Sequence, residues 1–309
     1  MVIHGGAGTI LKENMTPELE RRYRQALQSA LQAGYSILEN GGTALEAIKI
    51  AAISLEDDAL FNAGKGSVFT ADGINEMDAA IMDGKTLSAG AVAGVRNVRN
   101  PVALAEQVML HSGHVFLSGR GANEFALKQG IPVEPDEYFY SQFRYDQLKE
   151  IIGSDAYTLD HFGNTKGRKF GTIGAVACDK EGNVAAATST GGMTNKQYGR
   201  IGDSPVIGAG TYANNKTCAI SCTGHGEPFL RTVVAYDVSC LMEYKNMSLQ
   251  AACEEVVLKK LVMINGEGGL IGVDALGNTA LVFNCEGMYR GIKSSDGTEC
   301  VSIYKGDTK

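Results

Sequence analysis

Apolar positions along this 309-residue chain follow two rhythms, and these come in blocks instead of alternating. Helical spacing comes first. After Thr16-Pro17, the residues Leu19, Tyr23, Ala26, Leu27, Ala30, Leu31, Tyr35 and Leu38 recur on one face, and Gly41-Gly42 ends the run. The Thr16 hydroxyl suits a helix cap, and proline suits the first helical position, where its missing N–H is not needed. Thr43 followed by Glu46 reads as a capping box for a second helix, to about Leu55. Further helices are predicted from Asn100-Pro101 to about His111, near 122–128, from Pro228 through 229–243, and at 249–263.

Short apolar runs bounded by turn residues supply the strands. Val2-Ile3-His4 leads into a glycine loop at 5–8, and short strands fill 67–95 around turns at Ala71-Asp72-Gly73 and Asp83-Gly84-Lys85. Two hairpins are predicted. One joins the run from Ile173 to the run from Val184 through Asp179-Lys180-Glu181-Gly182-Asn183, and the other joins 269–274 to 277–283. Cys218-Ala219-Ile220-Ser221-Cys222-Thr223 and Met288-Tyr289-Arg290-Gly291-Ile292 are single strands. Blocks of this kind imply two mainly antiparallel sheets with helices outside them. The segment 134–170 is rich in Asp, Tyr, Lys and Gly, and its later half has no period. It reads as an exposed linker ending in the basic patch Lys166-Gly167-Arg168-Lys169.

Composition narrows the partners. A hydrophobic content of 44% suffices for a large core, and a net charge of −7 without a basic block argues against nucleic acid and anionic membrane surfaces. No apolar run is long enough for a bilayer span. Met1 leads directly into a strand, with no signal-peptide pattern. Seven cysteines without Cys-x-x-Cys spacing suggest reduced thiols and a cytoplasmic location, with Cys218 and Cys222 buried on one strand face. The 5–8 loop lacks the spacing of a phosphate cradle, and His111 and His114 have no third metal ligand nearby. Asp78 and Asp83 read as turn and strand-end carboxylates, Glu56-Asp57-Asp58 as a solvated helix end, and His4 as an interior histidine.

The chemistry gathers around the central hairpin. Thr172 stands behind Gly171 at the mouth of its first strand, and Thr188-Ser189-Thr190-Gly191-Gly192 closes the second. A hydroxyl becomes nucleophilic once a base takes its proton, and threonine's own α-amine can be that base if the preceding peptide bond is cut. Its reference pKa, roughly 7.7–8.0, leaves a useful neutral fraction near neutral pH. Arg200 and Asp203 answer the carboxylate and ammonium of an α-amino acid. The strand–glycine–helix junction Thr223-Gly224-His225-Gly226-Glu227 suits a developing oxyanion.

Eight stretches in order carry a resemblance: His4-Gly5-Gly6-Ala7-Gly8, Leu60-Phe61-Asn62-Ala63-Gly64, the run from Met77 to Gly84, Gly90-Ala91-Val92-Ala93, Gly171-Thr172-Ile173-Gly174-Ala175-Val176, Thr188-Ser189-Thr190-Gly191-Gly192, Gly199-Arg200-Ile201-Gly202-Asp203-Ser204-Pro205 and Thr223-Gly224-His225-Gly226-Glu227. The chain resembles the plant-type asparaginase/isoaspartyl aminopeptidase family of N-terminal-nucleophile hydrolases. That resemblance implies an α+β fold, a four-layer αββα sandwich, in a single domain cut between Gly171 and Thr172 into fragments 1–171 and 172–309. It further implies hydrolysis of L-asparagine and isoaspartyl dipeptides. Thr172 would be the nucleophile, Thr190 its hydrogen-bonding neighbour, and Thr223 with Gly224 the oxyanion hole. Substrate would be held by Arg200, Asp203, Gly226 and the oxyanion pair. No organic cofactor is implied. A sodium or potassium ion would be held mainly by carbonyls at Leu55, Glu56, Asp58, Phe61, Ala63 and Lys65, and the enzyme would be a homodimer. His225 is a possible base that a free α-amine makes redundant. Three other readings stay open: a glycosylasparaginase, which has Asp-Thr where this chain has Gly171-Thr172; a threonine endopeptidase; and an uncleaved amino-acid binder.

Overall fold

The computed structural model describes residues 1–152 and 171–307. The basic patch at 166–169 and the later part of the predicted linker lie outside the described residues. Two sheets form the centre. The larger has eight strands in the order β12-β11-β1-β5-β6-β2-β3-β4, and the smaller has four in the order β10-β9-β8-β7. In chain order the strands are β1 (Val2–Gly8), β2 (Met77–Asp83), β3 (Ala89–Val95), β4 (Phe116–Ser118), β5 (Ile173–Cys178), β6 (Val184–Thr190), β7 (Thr211–Ala213), β8 (Cys218–Gly224), β9 (Gly268–Asp274), β10 (Thr279–Phe283), β11 (Gly287–Lys293) and β12 (Glu299–Tyr304). All named pairings are antiparallel except β3 with β4.

Helices cover the outer faces. α1 (Pro17–Glu39) and α2 (Ala44–Glu56) begin as predicted, with Thr16 Oγ1 accepting from Leu19 N and Thr43 Oγ1 from Glu46 N, both at 3.2 Å. α2 lies against β5 and β6, and α3 (Pro101–His111) against β2 and β3. Alanines on both sides, Ala51 and Ala52 from α2 and Ala175, Ala177, Ala185 and Ala187 from the hairpin, are fully buried in that layer. Small side chains let a helix approach a sheet closely. A second apolar layer packs α8 (Val234–Lys245) and α9 (Leu249–Glu254) on the smaller sheet, around Phe229, Val238, Val256 and Leu270. A third lies between the sheets and includes Val2, Val176, Val184, Ile271, Val273 and Met288. Three apolar layers separate four layers of structure, which is an α+β, αββα sandwich.

Several expectations need correcting. The glycine loop at 5–8 is part of β1, with the register slipping between His4 and Gly6. The helix near 122–128 starts earlier, as α4 (Gly119–Lys128). The linker reading fails over 134–152, where α5 (Asp136–Phe139) and α6 (Gln142–Ile151) fold because Phe139, Arg144, Gln147 and Leu148 are buried. The helix at 229–243 is two pieces, α7 (Gly226–Thr232) and α8, broken at Val233 in a left-handed conformation. The loop before β7 completes the break, since Gly208 and Ala209 carbonyls accept from the Tyr236 and Ala235 amides of α8's first turn. Strands β4, β7 and β12 have no counterpart in the sequence reading.

The helix end at 56–58 is solvated only in part, with Asp57 and Asp58 half-buried. Glu56 is fully buried and accepts from Ser189 Oγ at 2.6 Å and Val102 N at 3.0 Å. Burial pushes its carboxyl up to about 8 against those hydrogen bonds. Asp57 pairs with Arg99 instead. Asp83 sits in a turn as expected, accepting from Lys85 N and Thr86 N. Asp78 stands at the start of β2, a strand-end carboxylate as expected, but it is fully buried, held by Gly94 N at 2.8 Å, and its pKa is raised by desolvation.

Candidate active site

The hairpin brings the two threonines together. Ile173 pairs with Ser189 across β5 and β6, so Thr172 and Thr190 stand opposite one another just beyond that pair. The Thr172 hydroxyl donates to Thr190 Oγ1 at 3.2 Å, and Thr190 Oγ1 also accepts from Gly192 N at 3.0 Å. Ser204 Oγ lies 3.5 Å from Thr172 Oγ1. The sequence reading missed Ser204; its only signal was its place beside Asp203.

β1 passes directly against the bond before Thr172. A methyl group built on Gly6 would sit 2.2 Å from the Gly171 Cα, and one built on Gly171 would sit 2.4 Å from the Gly6 Cα and 2.5 Å from the Gly5 carbonyl oxygen. Only glycine on both sides permits that approach, and Gly6 has a φ of 114° besides. From the facing sheet, Thr223 Oγ1 accepts from Ala7 N at 3.1 Å. Accepting with its oxygen leaves the Thr223 hydroxyl hydrogen for another partner. Gly224 ends β8 at a φ of 148°.

Arg200, Asp203 and Gly226 converge. A methyl group on Gly226 would meet Arg200 Nη2 at 2.8 Å and Asp203 Oδ1 at 3.0 Å. Asp203 is buried and its Oδ2 has no hydrogen-bond partner. Desolvation pushes its carboxyl up to about 7, with the Arg200 charge opposing. Arg200 is already engaged by Glu227, a contact absent from the sequence reading. Nε and Nη2 each donate to a Glu227 carboxylate oxygen at 2.9 Å. His225 Nε2 lies 3.0 Å from Glu227 Oε2, so Glu227 occupies the ring that sequence alone offered as a possible base. Burial works to raise the Glu227 pKa, but hydrogen bonds from His225 and Arg200 outweigh it and hold the carboxyl below the usual range.

The loop after α2 backs onto this site. Asn62 Nδ2 donates to the Gly192 carbonyl at 2.8 Å, and the Asn62 carbonyl accepts from Gly191 N at 3.0 Å. The carbonyls of Leu55, Asp58, Phe61 and Ala63 each accept one main-chain amide from within the loop. A methyl group on Gly64 would fall 2.4 Å from the Glu56 carbonyl oxygen, and one on Gly66 would fall 2.0 Å from that of Phe61. These glycines let the loop backbone pack directly against main-chain carbonyl oxygens. The Lys65 ammonium lies over the Tyr138 ring, 5.2 Å from its centroid. No cluster of three or more His, Cys, Asp or Glu side chains suited to a metal occurs among the described residues. Nor is any helix among them long and apolar enough to cross a membrane.

Comparison with known proteins supplies the family. A family model described as "Asparaginase" matches residues 1–303. An isoaspartyl peptidase of Salmonella typhimurium is 52% identical over 307 residues, covering 99% of this chain and 98% of that protein. An isoaspartyl peptidase of Escherichia coli is 50% identical over 312 residues, covering 100% and 97%. A putative isoaspartyl peptidase/L-asparaginase of Dictyostelium discoideum is 47% identical over 343 residues, covering 99% and 98%.

Proposed function

The chain belongs to the asparaginase family whose model spans it, and from that premise we propose that it is a self-processing amidohydrolase, cleaving L-asparagine to L-aspartate and ammonia and cleaving isoaspartyl dipeptides. The observation that carries the mechanism is the contact of Thr172 Oγ1 with Thr190 Oγ1 at 3.2 Å, beside a scissile bond pressed against Gly6.

In the first stage Thr172 Oγ attacks the Gly171 carbonyl carbon. The C–N bond breaks as the C–O bond forms, giving an ester and a free α-amine, and water opens the ester. The close approach of Gly6 to Gly171 supports a bond held in one fixed place for that attack. The interleaving of strands supports a product that stays one unit. β1 from the first fragment lies between β5 and β11 of the second, so cleavage leaves the sheet's pairings intact.

In the second stage the Thr172 amine takes the Oγ proton as the oxygen attacks the substrate's side-chain carbonyl. Thr223 and Gly224 hold the oxyanion; the free hydrogen of the Thr223 hydroxyl supports that role. The proton passes to departing ammonia or the peptide amine. Water, deprotonated by the same amine, then releases aspartate. Thr190 orients the nucleophile. Arg200 holds the substrate α-carboxylate, while Asp203 with the Gly226 carbonyl holds its ammonium; the unpartnered Asp203 Oδ2 supports this.

The carbonyls at Leu55, Glu56, Asp58, Phe61, Ala63 and Lys65 would hold a sodium or potassium ion, oxygen being the donor a hard cation takes, and the ion would stiffen the loop behind Gly192. We assign the protein to the cytoplasm, because its seven cysteines are all free. Pairing of two copies is supported by exposed Leu110, Val115, Phe116 and Leu127 around edge strand β4. Its measurement is the mass in solution by light scattering.

Thr172→Ala tests the reading. Wild-type protein is expected as two bands on a denaturing gel, the smaller beginning Thr-Ile-Gly-Ala, and the variant as one inactive band. Cleavage retained in Thr172→Ala would reject the nucleophile.

A further inference from the structure

One layer beneath the proposed catalytic residues lies a second polar layer. Thr188 is two residues before Thr190 on β6, and Ser221 two before Thr223 on β8, so each shares its strand face with a site residue. His4 pairs with Gly174 across β1 and β5, and Gly174 with Thr188 across β5 and β6, so the three form one row in the larger sheet. Ser221 enters that row from the smaller sheet. Its Oγ lies 3.0 Å from His4 Nε2 and 2.7 Å from Thr188 Oγ1. The space it fills is the one Gly174 leaves: a methyl group there would lie 2.0 Å from Ser221 Oγ and 2.3 Å from His4 Nε2.

The row continues toward the site. Thr211 Oγ1 is 2.7 Å from Thr188 Oγ1 and 3.0 Å from the Ser204 carbonyl oxygen. Ser204 in turn places its own hydroxyl 3.5 Å from Thr172 Oγ1. The side chains of His4, Thr188, Ser204, Thr211 and Ser221 are all buried. Burial holds the His4 imidazole neutral, its pKa lowered to about 3. The row is therefore an uncharged hydroxyl–imidazole chain between two sheets whose other buried contacts are largely apolar.

Apolar contact between sheets tolerates sliding; a hydrogen-bonded peg in a glycine-sized hole does not. We infer that Ser221 is a positioning residue: seated over Gly174 between His4 and Thr188, it locks the smaller sheet to the larger and so sets the Thr223 oxyanion donor against Thr172. Ser221 touches no reacting atom and acts through Thr223. The inference rests on the oxyanion role proposed above.

Four variants of the mature, full-length enzyme test it: Ser221→Ala, Thr223→Val, the double variant, and Gly174→Ala, which evicts the peg instead of deleting it. Thr223→Val is expected to lower kcat for L-asparagine by about 10²–10³. Ser221→Ala is expected to lower kcat by about 10- to 100-fold with KM unchanged, the scale of an ångström's misplacement. Gly174→Ala should reproduce that split, and it keeps the test alive if Ser221→Ala does not fold. The double variant should be no slower than Thr223→Val alone, because a donor that is absent cannot be misplaced. Wild-type kcat in Ser221→Ala, a rise in KM in its place, or losses that multiply in the double variant would each overturn the inference while Thr223→Val still loses activity. Wild-type kcat in Thr223→Val would remove the oxyanion assignment, and the inference with it.

Discussion

Arg200 turns its Nε and Nη2 edge to Glu227, with both oxygens of that carboxylate at 2.9 Å. The pair leaves the guanidinium's other edge for a ligand and fixes the plane in which that ligand must lie. A substrate carboxylate held by Arg200, as proposed, would meet an arginine already oriented. Glu227→Ala should free the guanidinium and raise KM for L-asparagine about three- to tenfold, up to roughly 1.4 kcal/mol, with kcat little changed. Steady-state kinetics on cleaved protein decide it; a fall in kcat at constant KM would place Glu227 in the chemistry instead.

The contact between Gly6 and Gly171 bears on the proposed self-cleavage. A side chain at either position must move the backbone, because its nearest neighbours are main-chain atoms. Gly6→Ala also forces alanine to a φ of 114°. Gly6→Ala and Gly171→Ala are each expected to remain as one uncleaved chain. Denaturing gels over a time course give the answer, and cleavage at the wild-type rate in both would show that the approach of β1 plays no part.

Much of this site was legible because its parts are local. Thr172 and Thr190 lie on adjacent strands of one hairpin, so alternation and turn residues sufficed to bring them together. Arg200 and Asp203 stood out as charged residues amid small ones, whereas Gly226 was named only through the family resemblance. What stayed hidden depends on contacts between distant segments. Glu56 reads as a solvated helix end until Ser189, 133 positions away, is seen to cap it. Glu227 looks like an ordinary first-turn acid, although Arg200 and His225 both need it. Ser221 is an unremarkable strand serine, since the hole it fills is made by a glycine on another sheet. Periodicity reports which face is buried, not which residue of the opposite face will arrive there.

A cation held by the carbonyls at 55–65, as proposed, would give a salt-specific stability. An ion bound only by the folded protein raises the melting temperature with its concentration, following RT ln(1 + [ion]/Kd). Melting in sodium chloride is expected to exceed melting in N-methylglucamine chloride of equal ionic strength, and to saturate. Gly64→Val, which drives a side chain toward the Glu56 carbonyl, should abolish the difference. Identical melting curves in the two salts for the wild type would remove the cation.

Asp203 predicts the acid limb of activity. Its buried carboxyl is pushed up to about 7 by desolvation, so free enzyme holds it largely protonated at pH 6 and ionised at pH 8. Only the ionised form attracts a substrate ammonium, so kcat/KM should rise with pH through about 7 and then level. The stability effect has the opposite sign. The folded pKa lies above the ordinary 3.8, so raising the pH from near 4 to about 7 removes stability as the unfolded carboxyl ionises first, and above 7 the loss is constant. Bound aspartate supplies the missing cation and should protect more strongly at pH 8 than at pH 6. The α-amine of Thr172 titrates nearby, at roughly 7.7–8.0 in its reference state, and Asp203→Asn separates the two groups. That variant should raise KM and lose the limb near 7 while keeping any limb due to the amine. An unchanged pH profile in Asp203→Asn would assign the whole titration to Thr172 and leave Asp203 without its part in binding.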